Sequence, residues 1–255
     1  MNSSLTNPPA SSFALIILGR SGSGKTSLAL NFPKPYVLDC DNNLAGPTRF
    51  HAEKEVYYDT VNVLDDGTPV KLRDRYKRAA DLLTAAAKSD SISTIIVDSC
   101  TTFHEYIMSE VRRQASITTA MNKGANIADG ENLRQQDWAK VAFLWKEVVT
   151  RLRTTNKLII FTGHTKLEKD ELDGTVFQHL LLQGQMKDQL AALFSDCWLT
   201  YVESGFDTKR QPIGKYKVRV LQDNRFLDLK NTLNLPSTFS VPSTELTNAI
   251  KTLSP

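Results

Sequence analysis

The stretch GRSGSGKTS, residues 19–27, has the residue types and spacing of a cradle for phosphate. Gly19, Gly24, Lys25 and Thr26 satisfy the pattern G-x-x-x-x-G-K-[ST], and Gly22 adds a hinge. Glycines let consecutive peptide N–H groups turn toward an anion, and a helix start leaves N–H groups pointing outward. Lys25 is spaced to reach the β- and γ-phosphates of a nucleoside triphosphate, and the Thr26 hydroxyl to bind Mg²⁺. Arg20, Ser21, Ser23 and Ser27 complete the lining of the loop. The flanks separate this pattern from an ordinary Gly/Ser turn. FALIILG before it is a buried-strand run, and KTSLALNF after it is helix-compatible up to Pro33.

A triphosphate site also needs a metal ligand and a group that acts on water. Asp98 closes the run STIIVDS, so a carboxylate would stand at the end of a buried strand beside the cradle. The same residue could instead cap the next helix, a job open to Ser99 or Thr101. Asp39 and Asp41 end the run PYVLDCD, and either could orient and polarise water. Alternation puts both on one face, so periodicity does not choose between them. His164 ends the run KLIIFTGH, where a polar side chain could feel the γ-phosphate.

These residues need a scaffold of strands alternating with helices, hence an α/β fold. Residues 71–88 and the segment TFHEYIMSEVRRQ have helical spacing. WAKVAFLWKEVVTRL places Trp138, Val141, Ala142, Trp145, Val149 and Leu152 on one stripe, read as core packing. Residues 116–136 and 165–185 read as long polar loops. DCWLTYVES and KYKVRVLQ read as a late hairpin joined through GFDTKRQPIG. No internal repeat or low-complexity segment is evident.

Composition bounds the function. With 41% hydrophobic and 23% charged residues in 255, the chain is an ordinary globular one. A balance of 31 basic against 28 acidic residues leaves any nucleic-acid contact to local patches. Cys40, Cys100 and Cys197 form no C-x-x-C pair, which favours reduced thiols and a cytoplasmic location. The four histidines, His51, His104, His164 and His179, lack metal-ligand spacing, and no apolar run has membrane length. Residues 1–12 lack the pattern of a signal peptide and are expected to be a tail.

Taken together, LGRSGSGKTSLAL, YVLDCDNNLAG, TIIVDS and LIIFTGHTK resemble the RecA-like ATPase core. Within it they are most similar to the small phage-encoded recombination ATPases of the Sak-four single-strand annealing type. The resemblance implies a P-loop NTPase core with a mostly parallel central sheet, flanking helices and a C-terminal antiparallel hairpin. It covers residues 13–235 as one ATPase domain, with 236–255 as a tail or short helix. ATP and Mg²⁺ are the implied cofactors, with Thr26 and Asp98 as metal ligands. The second acid of the pair, Asp41, is the implied catalytic carboxylate, where many relatives have Glu. His164 falls at the implied γ-phosphate sensor.

The resemblance also implies partners. The two polar loops would face single-stranded DNA, with Lys123, Arg134, Lys166 and Lys169 as cations among the acids Glu168, Asp170, Glu171 and Asp173. Sites in such proteins lie between protomers of a ring or filament. Lys217 and Arg219, on one strand face, could then reach a neighbour's γ-phosphate, with Arg225 as a second candidate. The basic residues of an edge strand can equally serve to discourage pairing. A single-strand DNA-binding protein is a further implied partner, no membrane is, and the location would be a bacterial host's cytoplasm if phage-encoded. The expected activity is DNA-stimulated ATP hydrolysis in strand annealing or exchange. Two rivals share the cradle: a small-molecule P-loop kinase, and an ATP-binding, DNA-binding switch with negligible turnover.

Overall fold

The computed structural model describes residues 13–123, 133–169, 171, 174, 176–206, 211–222 and 229–253. The expected tail 1–12, Asp170, Asp173 and Arg225 lie outside them.

The chain opens with β1 (Ala14–Gly19), whose six residues are all buried. Its side chains alternate between two apolar clusters: Ala14, Ile16 and Leu18 join one, Leu15 and Ile17 the other. A strand apolar on both faces must be covered twice, and it is. On one face pack α3 (Leu72–Lys88), α4 (Cys100–Lys123) and α5 (Asp137–Arg153). On the other lie α1 (Lys25–Ala29) and the C-terminal α7 (Thr244–Leu253). The stripe on α5 behaves as read: Val141, Trp145, Val149 and Leu152 are buried, and Trp138 and Ala142 pack against the same cluster.

Among the described residues nine strands form one sheet, ordered β3 (Tyr57–Thr60), β2 (Pro35–Asp39), β4 (Thr94–Asp98), β5 (Leu158–Lys169), β1, β7 (Asp196–Phe206), β8 (Pro212–Arg219), β9 (Thr238–Ser240), with β6 (Val176–Leu180) paired to β5. Pairings from β3 through β7 are parallel; β7–β8, β8–β9 and β5–β6 are antiparallel. The expected mostly parallel α/β sheet with a C-terminal hairpin is therefore the observed fold. Short helices α2 (Ala45–Arg49) and α6 (Met186–Gln189), with a 3-10 turn at Leu190–Leu193, complete it.

Parallel pairing brings the carboxyl ends of β1, β2, β4 and β5 to one edge, where ligands of open α/β sheets bind. Register makes this concrete: Gly19 pairs with His164, and Asp39 with Asp98. β5 stands between β1 and β4, so His164 falls between the cradle and Asp98.

Both expected loops differ from the observed elements. Residues 116–123 continue α4, a 24-residue helix, despite β-branched and polar residues of modest helix propensity. Residues 124–132 lie outside the described residues. β5 runs on from Thr165 to Lys169 and folds back as β6, so the second segment is largely a β-hairpin followed by a short helix.

Candidate functional site

The loop between β1 and α1 is fixed from both sides. Gly24 adopts φ 86°, the left-handed conformation glycine tolerates best, as it opens α1. A side chain there would also meet the Tyr216 ring of β8, 3.0 Å from where a Cβ would stand. At Gly19 a Cβ would run into Thr200 of β7, whose carbonyl oxygen would lie 2.6 Å away. Ser23 Oγ and Thr200 Oγ1 are hydrogen-bonded at 2.7 Å, and Thr200 donates to the Leu18 carbonyl at 3.1 Å. The Ser23 side chain therefore fastens the loop to β7, while Arg20, Ser21 and Gly22 remain exposed along its rim.

Lys25 is 6% exposed and folds over the loop. Its Nζ donates to the carbonyls of Gly19 (3.1 Å) and Arg20 (2.9 Å) and lies 3.5 Å from His164 Nδ1. Burial pulls its pKa below the ordinary value, against the attraction of Asp98 and Asp41.

Thr26 Oγ1 donates to Asp98 Oδ2 at 2.8 Å, and Thr162 Oγ1 donates to Asp98 Oδ1. Burial pushes the Asp98 carboxyl above its ordinary value, beyond what the two hydroxyls recover, and Asp41 and Asp39 add to the rise. Helix capping does not consume Asp98. The hydroxyl of Ser99 accepts from the Thr102 N–H (3.5 Å), and its carbonyl from the Phe103 N–H (3.0 Å). A hydroxyl and a carboxylate side by side are hard oxygen donors suited to Mg²⁺, which keeps few protein ligands and completes its shell with water and phosphate. Among the described residues no group of three His, Cys, Asp or Glu side chains could hold a metal, and a Mg²⁺ site of this kind does not need one.

The acid pair separates cleanly. β2 ends at Asp39, so strand alternation no longer governs Asp41. Asp39 is 3% exposed and accepts backbone N–H groups from Asp41 (3.1 Å), Asn43 (3.3 Å) and Leu44 (3.1 Å), which shapes the turn. Burial still raises its pKa against those bonds. Asp41 instead points at His164, with Oδ2 3.8 Å from Nε2, while Thr102 Oγ1 donates to Oδ1. Its burial would raise the pKa, but His164, Thr102 and Ser99 outweigh it, and the carboxyl is held below the usual range. Lys25 Nζ and Asp41 Oδ2 stand against opposite ring nitrogens of His164. Lys25, His164 and Asp41 thus form one polar row beside the Thr26–Asp98 pair.

Lys217 and Arg219 are not part of this row. They share the face of β8 opposite Tyr216 by alternation. Lys217 Nζ lies 3.7 Å from Glu203, and Arg219 stacks over Tyr201 with its guanidinium carbon 5.9 Å from the ring centroid. Arg134 is drawn into the start of α5, where it and Lys140 pair with buried Asp137.

Several contributors escape the sequence. Thr162 stands two residues before His164 on the same strand face, and period-2 spacing could have found it. Thr101 and Thr102 lie just beyond Asp98: the first accepts the His164 backbone N–H at 3.0 Å, and the second donates to Asp41. Thr200 carries no local signal at all.

Fold and site together define a P-loop nucleotide-binding domain. A family model described as AAA domain matches residues 12–234, and the chain belongs to that family. No curated protein matches it by sequence. Among solved structures it is similar to the RadB recombinase, with TM-score 0.48 and 11% identity over 94% of this chain and 91% of that one. It is also similar to the KaiC-like protein PH0186 from Pyrococcus horikoshii OT3, with TM-score 0.39 and 10% identity over 82% and 77%. Among the described residues no helix is long and apolar enough to cross a membrane.

Proposed function

We propose that this chain is a RecA-like ATPase that binds ATP·Mg²⁺ at the carboxyl edge of its sheet and single-stranded DNA nearby, and acts in strand annealing or exchange. The observation that carries the proposal is the pairing of two arrangements across one strand: Thr26 with Asp98, and Lys25 with His164 and Asp41.

The residues present fit both groups. The loop N–H groups and Lys25 would hold the β- and γ-phosphates, and Arg20, Ser21, Gly22 and Ser27 would line them. Thr26 and Asp98 would hold Mg²⁺, which supplies charge neutralisation to the transferring phosphoryl group. A carboxyl whose burial favours the protonated form is one that a divalent cation would hold ionised. Asp41, held ionised, would accept the proton of the attacking water or orient it. His164 would read the terminal phosphate through Lys25 and Asp41. Phosphoryl transfer asks for positioning and charge stabilisation more than covalent chemistry, which such a set provides.

The family resemblance to phage Sak-four proteins supports assembly into a ring or filament, with Lys217 and Arg219 serving a neighbour's site. The face they occupy on β8 is opposite the one Tyr216 turns to the cradle, which agrees with a role in trans. ATP hydrolysis measured with and without single-stranded DNA tests the whole proposal. Stimulation by DNA that Lys25→Ala abolishes is the expected result. Unchanged turnover in Lys25→Ala would refute the phosphate site; turnover that needs a small-molecule acceptor and ignores DNA would make the chain a kinase. ATP and DNA binding without turnover would make it a switch.

A further inference from the structure

The end of β5 carries a cluster that the phosphate site does not use. Three nitrogen-bearing side chains from three elements converge on one oxygen, Oε2 of Glu168. Lys166 Nζ of β5 lies at 3.5 Å, Lys187 Nζ of α6 at 3.7 Å, and His179 Nε2 of β6 is in direct contact. Hairpin register explains the geometry: Lys166 pairs with His179 and Glu168 with Phe177, so Glu168 and His179 are diagonal neighbours. His179 is 7% exposed and flanked by the Phe177 ring at 5.7 Å between centroids. The Glu168 side chain is 38% exposed as a whole, but Oε2 itself is buried among these nitrogens.

A carboxylate and a phosphodiester present the same chemistry to such donors: one negative charge and oxygen lone pairs. Donors from three elements arranged around an oxyanion remain an oxyanion site when the tethered acid swings away. Two cations, Lys166 and Lys187, are then left without that counter-charge. We infer that Lys166, Lys187 and His179 form a binding site for a phosphate of single-stranded nucleic acid, and that Glu168 fills it from within until the strand displaces it. This rests on the DNA-binding reading above and adds to it the site and its internal competitor.

The placement gives the exchange a consequence. His164, Lys166 and Glu168 share one face of β5 by alternation. The hairpin is also tied to the sensor directly, because the Leu181 N–H donates to the His164 carbonyl at 2.7 Å. Freeing Glu168 therefore acts on the strand that holds His164 between Lys25 and Asp41. A purely structural ion-pair cluster would behave differently: neutralising Glu168 would loosen the hairpin and gain no affinity.

The test is anisotropy of a labelled oligo-dT with the full chain, Mg²⁺ and a non-hydrolysable ATP analogue, across a salt series. Glu168→Gln should bind about two- to fivefold tighter than wild type, the worth of one half-exposed ion pair. Lys187→Gln should bind more weakly and reduce the slope of log K against log salt by about 0.7. If wild type binds but Glu168→Gln gains nothing and Lys187→Gln keeps the slope, the inference is overturned while the ATPase reading stands. If wild type does not bind the strand, both fail. Release of the strand by inorganic phosphate at low concentration would make free phosphate the ligand and overturn the nucleic-acid assignment.

Discussion

Strand β5 belongs to two regions of different character. From Leu158 to Gly163 every residue is buried, and the segment runs between two parallel neighbours. Beyond His164 it leaves the sheet's cover: Leu167 is 62% exposed, and β6 is its pairing partner. The first half holds its polar groups with hydroxyls and backbone; the second adds ion pairs to Glu168, of which those from Lys166 and Lys187 are partly exposed. Bonds of the first kind are costly to leave unmade, whereas exposed ion pairs contribute little. The site edge is thus built to keep one geometry and the hairpin to change its own, as expected where stability is unevenly distributed.

The sharpest way to break this comparison is Asp41→Asn. Turnover should fall by about 10²- to 10⁴-fold, the usual worth of a positioned acid–base group, with ATP affinity retained. Phosphate release and nucleotide titration measure the two separately. The same loss in Asp39→Asn would transfer the role to the residue whose carboxylate is engaged with three backbone N–H groups.

Gly19→Ala comes next. Its Cβ would press on the Thr200 carbonyl, a backbone atom that cannot rotate aside, so urea unfolding should show a loss of about 1–3 kcal/mol. A neutral result would mean that the loop is free of β7.

Acid–base linkage gives a pair of opposite slopes in the metal-free chain. Asp98 titrates above its ordinary value when folded, so the native state keeps a proton the unfolded chain has lost. Stability therefore falls as pH rises from the ordinary carboxylate value through the folded one, and Asp98→Asn should remove that fall. Asp41 titrates below its ordinary value, so its contribution is present above that value and lost as pH drops through the folded one. Asp41→Asn should flatten the acid limb instead. Denaturant midpoints across the acid range decide both signs.

The smallest effect belongs to the hairpin. Leu167→Ser should shift stability by no more than about 0.5 kcal/mol in a thermal melt, because the side chain is already in water. A large loss would show the hairpin to be part of the core.

Legibility in the sequence divides along the same line. The cradle, Asp98 and the strands around them announce themselves through fixed spacing and buried apolar runs. The choice between Asp39 and Asp41 is hidden because β2 stops at Asp39 and a turn re-aims the residues beyond it. The Ser23–Thr200 bond joins residues 177 positions apart, beyond any local pattern. The β5–β6 hairpin reads as a loop because Lys166, Glu168, Lys169 and Gln178 break up the apolar pattern, although its inner end at His179 and Leu180 is buried. The polar stretch 116–123 reads as a loop too, because propensity is a weak prior that neighbouring helix can override.

The position of β5 between β1 and β4 has one more consequence. A strand that borders Gly19 on one flank and Val97 on the other cannot shift without altering the spacing on both. Lys25 and Asp98, far apart in the chain, thus flank a single strand, and a substitution that displaces it alters the surroundings of both.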